Sequence, residues 1–277
     1  MRLIACTSAL PRASATEAIS TLAGMGFVGI EVPCGPGEAL DPTHDRAEAL
    51  ALANHAREAG APILSVVVHI DGLAASDGAV SAAAREELYA AMGLTSAMRA
   101  HFVRLAALPM SPEVDRAATL RRLTRALMIA AMHGLSQRVT LLLAAQEESL
   151  VSSSAALARV IDDVAFPGVS AVVDPADLVW TMREPWQRSL VTLGQRIAYV
   201  QLRDYTLRDD RRVACPIGEG LVPWESILPV LDWLGVGYAC VDYGQGTEAE
   251  LVPPATTGLP QSLAFCQAAL ELGVCSH

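Results

Sequence analysis

Short apolar segments alternate with helix-forming segments along the whole chain, and this alternation constrains the fold more than any other feature. Residues 63–70 are rich in β-branched side chains, which is typical of a strand buried on both faces. Ser14 and Glu17 have the spacing of a capping box, which predicts a helix that ends near Gly24 and Gly26. Eight such strand–helix units recur at intervals of roughly 35 residues, and strands connected by helices pair in parallel.

Two architectures accommodate a parallel sheet of this size. Eight units in 277 residues match a closed (β/α)8 barrel. A doubly wound open sheet is the alternative, and it normally carries a glycine-rich nucleotide-binding turn after its first strand, whereas residues 6–10 read CTSAL. No change of composition marks a second domain. We therefore predict an α/β fold with one (β/α)8 TIM barrel over residues 1–277.

Turn-forming residues set several expected boundaries in the second half of the chain. Ser111 followed by Pro112 predicts a helix start, and Gly134 predicts the end of that helix. Residues 209–212 (DDRR) are interpreted as a solvated loop, and the proline-rich residues 251–260 as a loop before a last helix.

The chain has 20 cationic residues, all arginine, and it contains no lysine. This absence excludes Schiff-base aldolases, lysine-anchored pyridoxal phosphate enzymes and P-loop nucleotidases. We expect no nucleotide cofactor. The formal net charge of −10 also argues against a nucleic-acid partner, because binding to phosphates requires a basic surface.

Hydropathy and cysteine usage bear on the compartment. No stretch reaches the roughly 18 continuous apolar residues of a transmembrane helix, so no membrane partner is expected. The six cysteines form no CxxC pair, which fits neither a disulfide framework nor a zinc knuckle. We interpret most of them as small apolar residues of strands and helices, and we expect a cytoplasmic protein.

Polar residues follow the predicted strands at the ends where barrel enzymes carry their active sites. Several carboxylates and a histidine at one barrel mouth predict a site for a polar small molecule. The residues concerned are Glu31, His69, Gln146, Asp174, Asp177, Gln201 and Asp242.

Four short motifs resemble those of the xylose-isomerase-like barrels. They are residues 26–31 (GFVGIE), 173–175 (VDP), 200–204 (VQLRD) and 218–224 (GEGLVPW). That family includes sugar-phosphate isomerases and epimerases, hydroxypyruvate isomerase and inosose dehydratase, and the resemblance covers nearly the whole chain. It implies an isomerase or epimerase that acts on a polyhydroxylated or carbonyl-bearing substrate.

The resemblance also implies a divalent cation, but the ligand positions here are altered. They fall on Ala144, Asp174, Gln201 and Asp242, where the family has two glutamates, an aspartate and a histidine. Asp174 matches, Asp242 is a shortened equivalent, and Glu148 is a candidate substitute ligand. We expect either no cofactor or a weakly bound Mn²⁺, Mg²⁺, Co²⁺ or Zn²⁺.

The family mechanism moves a proton through an enediolate between two glutamates, and Ala144 removes one of them. Asp242 then remains as a single base. If no cation separates Asp174 from Asp242, one of the two should have a raised pKa and act as an acid. His69 and Glu31 complete the predicted catalytic set, although Glu31 has the alternative of a salt bridge to a neighbouring arginine.

Substrate-binding roles are predicted for a further group of polar residues. Arg203 and Arg208 are candidate ligands for a carboxylate or phosphate, although we interpret Arg203 as pointing away from Gln201. Glu219 lies between two glycines in a loop typical of a lid. The predicted group is Gln146, Asp177, Gln201, Arg208, Glu219 and Trp224.

Two other functions remain open from the sequence. A metal-independent lyase, dehydratase or cyclase on the same barrel needs only acid–base groups, and a non-catalytic homologue needs only the binding site. Each takes a small molecule as its partner. A homodimer or homotetramer is expected from the resemblance.

Overall fold

Parallel strands close into an eight-stranded barrel in the computed structural model, which describes residues 1–41, 46–106, 115–146, 149–182, 184–243 and 254–274. The last barrel strand pairs with the first in register Arg2 with Tyr238, which closes the ring. The predicted TIM barrel is therefore confirmed. Its strands are β1 (Arg2–Cys6), β2 (Ile30–Cys34), β3 (Ile63–Val68), β4 (Phe102–Leu105), β5 (Thr140–Ala144), β6 (Val169–Val173), β7 (Ile197–Leu202) and β10 (Tyr238–Val241).

Helices connect the strands and surround the barrel. The predicted capping box is confirmed, because the Ser14 hydroxyl accepts from the Glu17 amide and the Glu17 carboxylate accepts from the Ser14 amide at 2.9 Å. The helices are α1 (Ala15–Gly24), α2 (Arg46–Glu58), α3 (Gly78–Ala97), α4 (Arg116–Gln137), α5 (Ser154–Val164), α6 (Pro175–Thr181), α7 (Trp186–Leu193), α8 (Trp224–Trp233) and α9 (Ala255–Val274). No helix in the described ranges is long and apolar enough to cross a membrane.

A plug of apolar side chains fills the barrel interior. Phe102 packs edge-on against Tyr199, with ring centroids 5.8 Å apart. Because the interior is filled, a ligand can reach only the loops and strand ends above it. The plug consists of Ile4, Cys6, Leu64, Phe102, Leu142, Val172, Tyr199 and Cys240. The five cysteines within the described ranges are all buried and free, as expected for apolar filling residues.

Helix α4 does not end at Gly134, as the sequence predicted. It continues to Gln137 and is closed by Arg138 in a left-handed conformation. A Cβ atom at Gly134 would lie 2.6 Å from both the Met92 side chain and the Val139 carbonyl oxygen. Gly134 thus lies in the last turn of α4, and glycine is required there because the Met92 side chain of α3 and the Val139 carbonyl of the chain leaving the helix approach it closely. The predicted start at Ser111 and Pro112 lies outside the described residues.

The predicted loop after β7 contains a β-hairpin instead. Strand β8 (Tyr205–Arg208) pairs antiparallel with β9 (Arg211–Ala214). The two turn residues, Asp209 and Asp210, both have positive φ, at 49° and 59°. Aspartate tolerates this conformation, and two positive-φ residues match the twist of a tight hairpin.

The predicted loop over residues 251–260 is also shorter than expected. Helix α9 already begins at Ala255 and contains Pro260 in its second turn. Pro260 lies past the first turn, so its missing N–H removes one intrahelical hydrogen bond, and the helix nevertheless continues through it to Val274.

Candidate functional site

A cavity opens at the carboxyl ends of β6, β7 and β10, beneath the β8–β9 hairpin. Its volume is about 430 Å³, including space open to solvent. Charged residues line it beside apolar ones, which is typical of sites for polar ligands. The lining consists of Ala176, Leu202, Arg203, Asp204, Tyr205, Arg212, Ala214, Cys215, Ile217, Val241, Asp242 and Tyr243.

Asp242 is the predicted catalytic residue that lines this cavity. Its carboxylate is almost fully buried, and Gln201 Nε2 donates to Oδ2 at 2.5 Å. The other oxygen, Oδ1, is buried and has no hydrogen-bond partner in the described part of the chain. Burial raises the pKa of Asp242, although the positive charges of Arg104 and Arg203 oppose the shift. The sequence predicted a raised pKa for Asp242 or Asp174, but from repulsion rather than burial.

Asp174 lies at the N-terminus of α6 and forms an ion pair with Arg203. Its Oδ1 accepts from the Asp177 amide at 3.1 Å, and its Oδ2 accepts from Arg203 Nη2. The charges of Asp174 and, less strongly, Asp242 raise the pKa of Arg203. The guanidinium of Arg203 is thus the cation that these two carboxylates share.

Arg203 has a larger place in the site than the sequence analysis gave it. It directly follows β7 and lines the same cavity as Asp242, the partner of Gln201, so it does not point away from this group of residues. Arg203 Nε is buried and finds no hydrogen-bond partner among the described residues. Like Asp242 Oδ1, it is a polar atom beside the cavity that a ligand could satisfy.

Trp224 lies beneath this arrangement, in the packing of α8. Its side chain is 1% exposed, and its indole nitrogen donates to the Arg203 carbonyl oxygen at 3.1 Å. This contact fixes the backbone that carries Arg203. Direct contact between Trp224 and a substrate stays a prediction, which the burial of the ring does not favour.

Glu31 lies inside the barrel and forms the salt bridge that the sequence left as an alternative to catalysis. It accepts from Arg104 Nη2 at 2.8 Å, from the Tyr199 hydroxyl at 2.6 Å and from the Ser65 hydroxyl at 2.9 Å. Burial alone would raise the pKa of Glu31. The charge of Arg104 and the hydrogen bonds from Arg104 and the two hydroxyls together lower it by more, so the net shift of the pKa is downward. Glu31 is therefore a stable buried carboxylate that does not line the cavity.

The remaining predicted residues lie around the rim. His69 is exposed directly after β3, and Glu219 is exposed in the loop that follows the hairpin. Gln146 Nε2 donates to the Ala106 carbonyl at 2.6 Å, which links the segments after β4 and β5. Arg208 is exposed at the end of the hairpin. Their roles, and that of Asp177, stay predictions.

The predicted metal ligands are not grouped as a cation centre. Ala144 ends β5, and Glu148 lies outside the described residues. The described ranges contain no group of three or more histidine, cysteine, aspartate or glutamate side chains that could hold a metal ion.

Asp204 organises the loop that covers the cavity. Its carboxylate accepts hydrogen bonds from the amides of Tyr205, Gly218, Gly220 and Val222, at 2.9 to 3.2 Å. A Cβ atom at Gly220 would overlap this carboxylate, so the loop sequence is matched to it.

Replacing Asp204 by alanine is expected to destabilise this loop. Buried amides without acceptors cost about 1–3 kcal/mol each, so the free energy of unfolding should fall by at least one such contribution. Hydrogen exchange should accelerate at Gly218, Gly220 and Val222 and not in the barrel strands. Asp163→Ala, on an exposed part of α5, is the matched control and should change neither quantity. Unchanged exchange in the loop would contradict the assignment.

Comparison with known proteins supports the architecture. The family model described as xylose isomerase-like TIM barrel matches residues 19–269. A D-psicose 3-epimerase from Clostridium cellulolyticum H10, solved with D-tagatose, superposes with a TM-score of 0.81 at 14% identity, covering 98% of this chain and 99% of that one.

Two further structures show the range of proteins with this fold. The 3-keto-D-glucoside 4-epimerase from E. coli has a TM-score of 0.77 at 15% identity, covering 97% of this chain and 99% of that one. The probable 3-DHS dehydratase from Bacillus anthracis has a TM-score of 0.75 at 13% identity, covering 96% and 99%. No curated protein matches the sequence. Identities this low establish the fold and not the reaction.

Proposed function

The chain belongs to the xylose isomerase-like TIM barrel family, and from this membership we propose that it is an isomerase or epimerase of a small polyhydroxylated, carbonyl-bearing molecule. The observation that carries the proposal is Asp242, a buried carboxylate with an unpaired oxygen beside the cavity. General acid–base catalysis needs such a group within reach of the substrate, with a pKa moved toward the working pH.

Each neighbour has a role in this proposal. Asp242 takes a proton from the carbon next to the substrate carbonyl and delivers it to the former carbonyl carbon, while the hydroxyl proton passes between the two oxygens, so that the carbonyl moves by one position. Arg203 stabilises the negative charge that develops on the carbonyl oxygen, because a fixed guanidinium in a partly buried site costs little reorganisation. Asp174 holds Arg203 in place, and Gln201 fixes the orientation of the Asp242 carboxylate.

The donor set does not fit a divalent cation, and we propose no metal step. Asp174 is ion-paired with a guanidinium, Gln201 presents its amide N–H to Asp242, and Ala144 offers no ligand atom. A hard cation needs several oxygen ligands, and it would be repelled by Arg203.

Solvent exchange tests the proposed reaction. The purified protein is incubated in D2O with a panel of ketoses and sugar acids, and deuterium is measured at the carbon next to the carbonyl. We expect incorporation that persists unchanged after treatment with a chelator. Loss of exchange on chelation, with recovery on adding Mn²⁺, would contradict the metal-free site. No exchange with any compound would favour the non-catalytic alternative.

The dehydratase alternative is distinguished in the same experiment. An acid with a raised pKa can also protonate a departing hydroxyl, and one structural neighbour is a probable dehydratase. That reaction would give a product lighter by one water. The small-molecule partner, the homodimer or homotetramer and the cytoplasmic location stay predictions.

A further inference from the structure

Arg212 presents a second positive charge to the cavity. It belongs to β9 and is half-buried, and its side chain lines the cavity together with Asp242 and Arg203. The guanidinium carbon lies 5.0 Å from the Trp180 ring centroid and 5.8 Å from that of Tyr205. Aromatic faces hold a guanidinium in position without neutralising its charge.

The two rings form a rigid support for this charge. Trp180 of α6 and Tyr205 of β8 pack edge-to-face at 87°, with centroids 5.4 Å apart. Elements from two sides of the cavity therefore fix the position of Arg212. No carboxylate within the described ranges forms an ion pair with it.

Three acidic side chains in and beside the cavity have partners other than Arg212, and for Asp242 that partner is Gln201 Nε2. The Asp204 carboxylate accepts from four backbone amides, and Asp174 pairs with Arg203. Arg203 retains a buried Nε–H without a partner in the described chain. The cavity thus offers two guanidinium groups to a ligand, although the whole protein has a net charge of −10.

We propose that Arg212 binds an anionic group of the substrate, a carboxylate or a phosphate, and so selects acidic sugars over neutral ones. The planar fork of arginine matches the oxygens of both groups. The reacting end of such a substrate lies toward Asp242, and this inference rests on the proposed function for that orientation. The anion site itself depends only on the cavity and its charges.

Calorimetry with matched ligand pairs tests the proposal. The probes are D-glucuronate with D-glucose, 5-keto-D-gluconate with L-sorbose, and D-fructose 6-phosphate with D-fructose. We expect the wild-type protein to prefer the anionic member of at least one pair, and the pairs separate carboxylate from phosphate. Arg212→Gln should weaken that binding about 10- to 100-fold and leave neutral sugars unaffected.

Three further variants make the result specific. Arg212→Lys keeps the charge but loses the planar fork and its contact with the two rings, so it should retain only part of the preference, which separates the effect of charge from that of geometry. Arg188→Gln, on the exposed side of α7, is the matched charge control and should leave the preference unchanged. If Arg208→Gln removes the preference instead, the anion binds at the hairpin end and the proposal is overturned.

Other outcomes are equally decisive. Equal affinity for anionic and neutral members, equal weakening of both by Arg212→Gln, or no binding of any anion would overturn the proposal. Binding is measured without turnover, so the preference is independent of the deuterium exchange. If deuterium exchange is found without an anion preference, the anion site at Arg212 fails. If the anion preference is found without exchange, the proposed isomerase function fails.

Discussion

Asp242→Asn is expected to lower kcat by about 10²- to 10⁴-fold, the usual contribution of a positioned acid–base group. Asparagine has nearly the same shape and can still accept from Gln201, but it cannot take up a proton. The measurement is deuterium incorporation into a substrate of the wild-type protein. Asp163→Asn, which makes the same change on an exposed helix, should retain full activity. Undiminished exchange in Asp242→Asn would refute Asp242 as the proton-transfer group.

The same variant should remove the acidic limb of the pH–rate profile. A base acts when deprotonated, so the wild-type rate should rise with pH through the pKa of Asp242 and then level off. Burial raises that pKa, which moves the limb above the value of about 4 for an ordinary aspartate. Residual activity in Asp242→Asn should lack the limb.

The thermal stability of Asp242→Asn should not fall with its activity. A carboxyl group whose pKa is higher in the folded than in the unfolded chain loses its stabilising contribution as pH rises toward the folded pKa of Asp242. Above the folded pKa of Asp242 its ionised carboxylate is therefore a cost to the fold. We expect Asp242→Asn to unfold at a temperature no lower than the wild type, and lower thermal stability would contradict this.

Glu31→Gln is expected to lower the free energy of unfolding by about 3–5 kcal/mol. It leaves the Arg104 guanidinium buried without an opposing charge, which is far more costly than losing an exposed pair. For a chain of this size the melting temperature should fall by roughly 6–20 °C, as measured by thermal denaturation. Asp162→Asn is the matched control, because it breaks the exposed pair with Arg196 and should leave the melting temperature nearly unchanged.

A double variant separates the charge from the packing. Glu31→Gln with Arg104→Met removes both buried charges and should recover much of the lost stability.

The direction in which pH changes the stabilisation by Glu31 also follows from its pKa. The folded pKa of Glu31 is lowered, so its stabilisation is present above the unfolded pKa and is lost as pH falls through the folded one. A stability of Glu31→Gln equal to that of the wild type at neutral pH would contradict the assignment.

Local signals were sufficient to predict the barrel. The capping box at Ser14 and the apolar run that became β3 each depend on neighbouring residues, so their elements could be located from sequence. Gly134 was misread because part of its reason is tertiary: Met92 of α3 approaches it, in addition to the Val139 carbonyl just after the helix. The hairpin after β7 was missed because a two-residue aspartate turn looks like a solvated charge run until its flanking strands are paired.

The site was only partly predictable for the same reason. Strand ends identified Asp174, Gln201 and Asp242, and the structure brings them together around Arg203. Strand parity could not place Arg203, because β7 ends at Leu202 and Arg203 belongs to the segment that follows it. Which arginine pairs with Glu31 depends on the barrel register between β2 and β4, and strand periodicity alone does not define that register.

The ion pair between Arg203 and Asp174 bears on the conditions in which this protein can work. An arginine side chain stays charged at every physiological pH, and it is made with each copy of the chain. A bound ion must instead be taken from the surroundings and is lost when they become poor in it. If Arg203 supplies the positive charge of the site, as we propose, metal starvation would leave that charge in place.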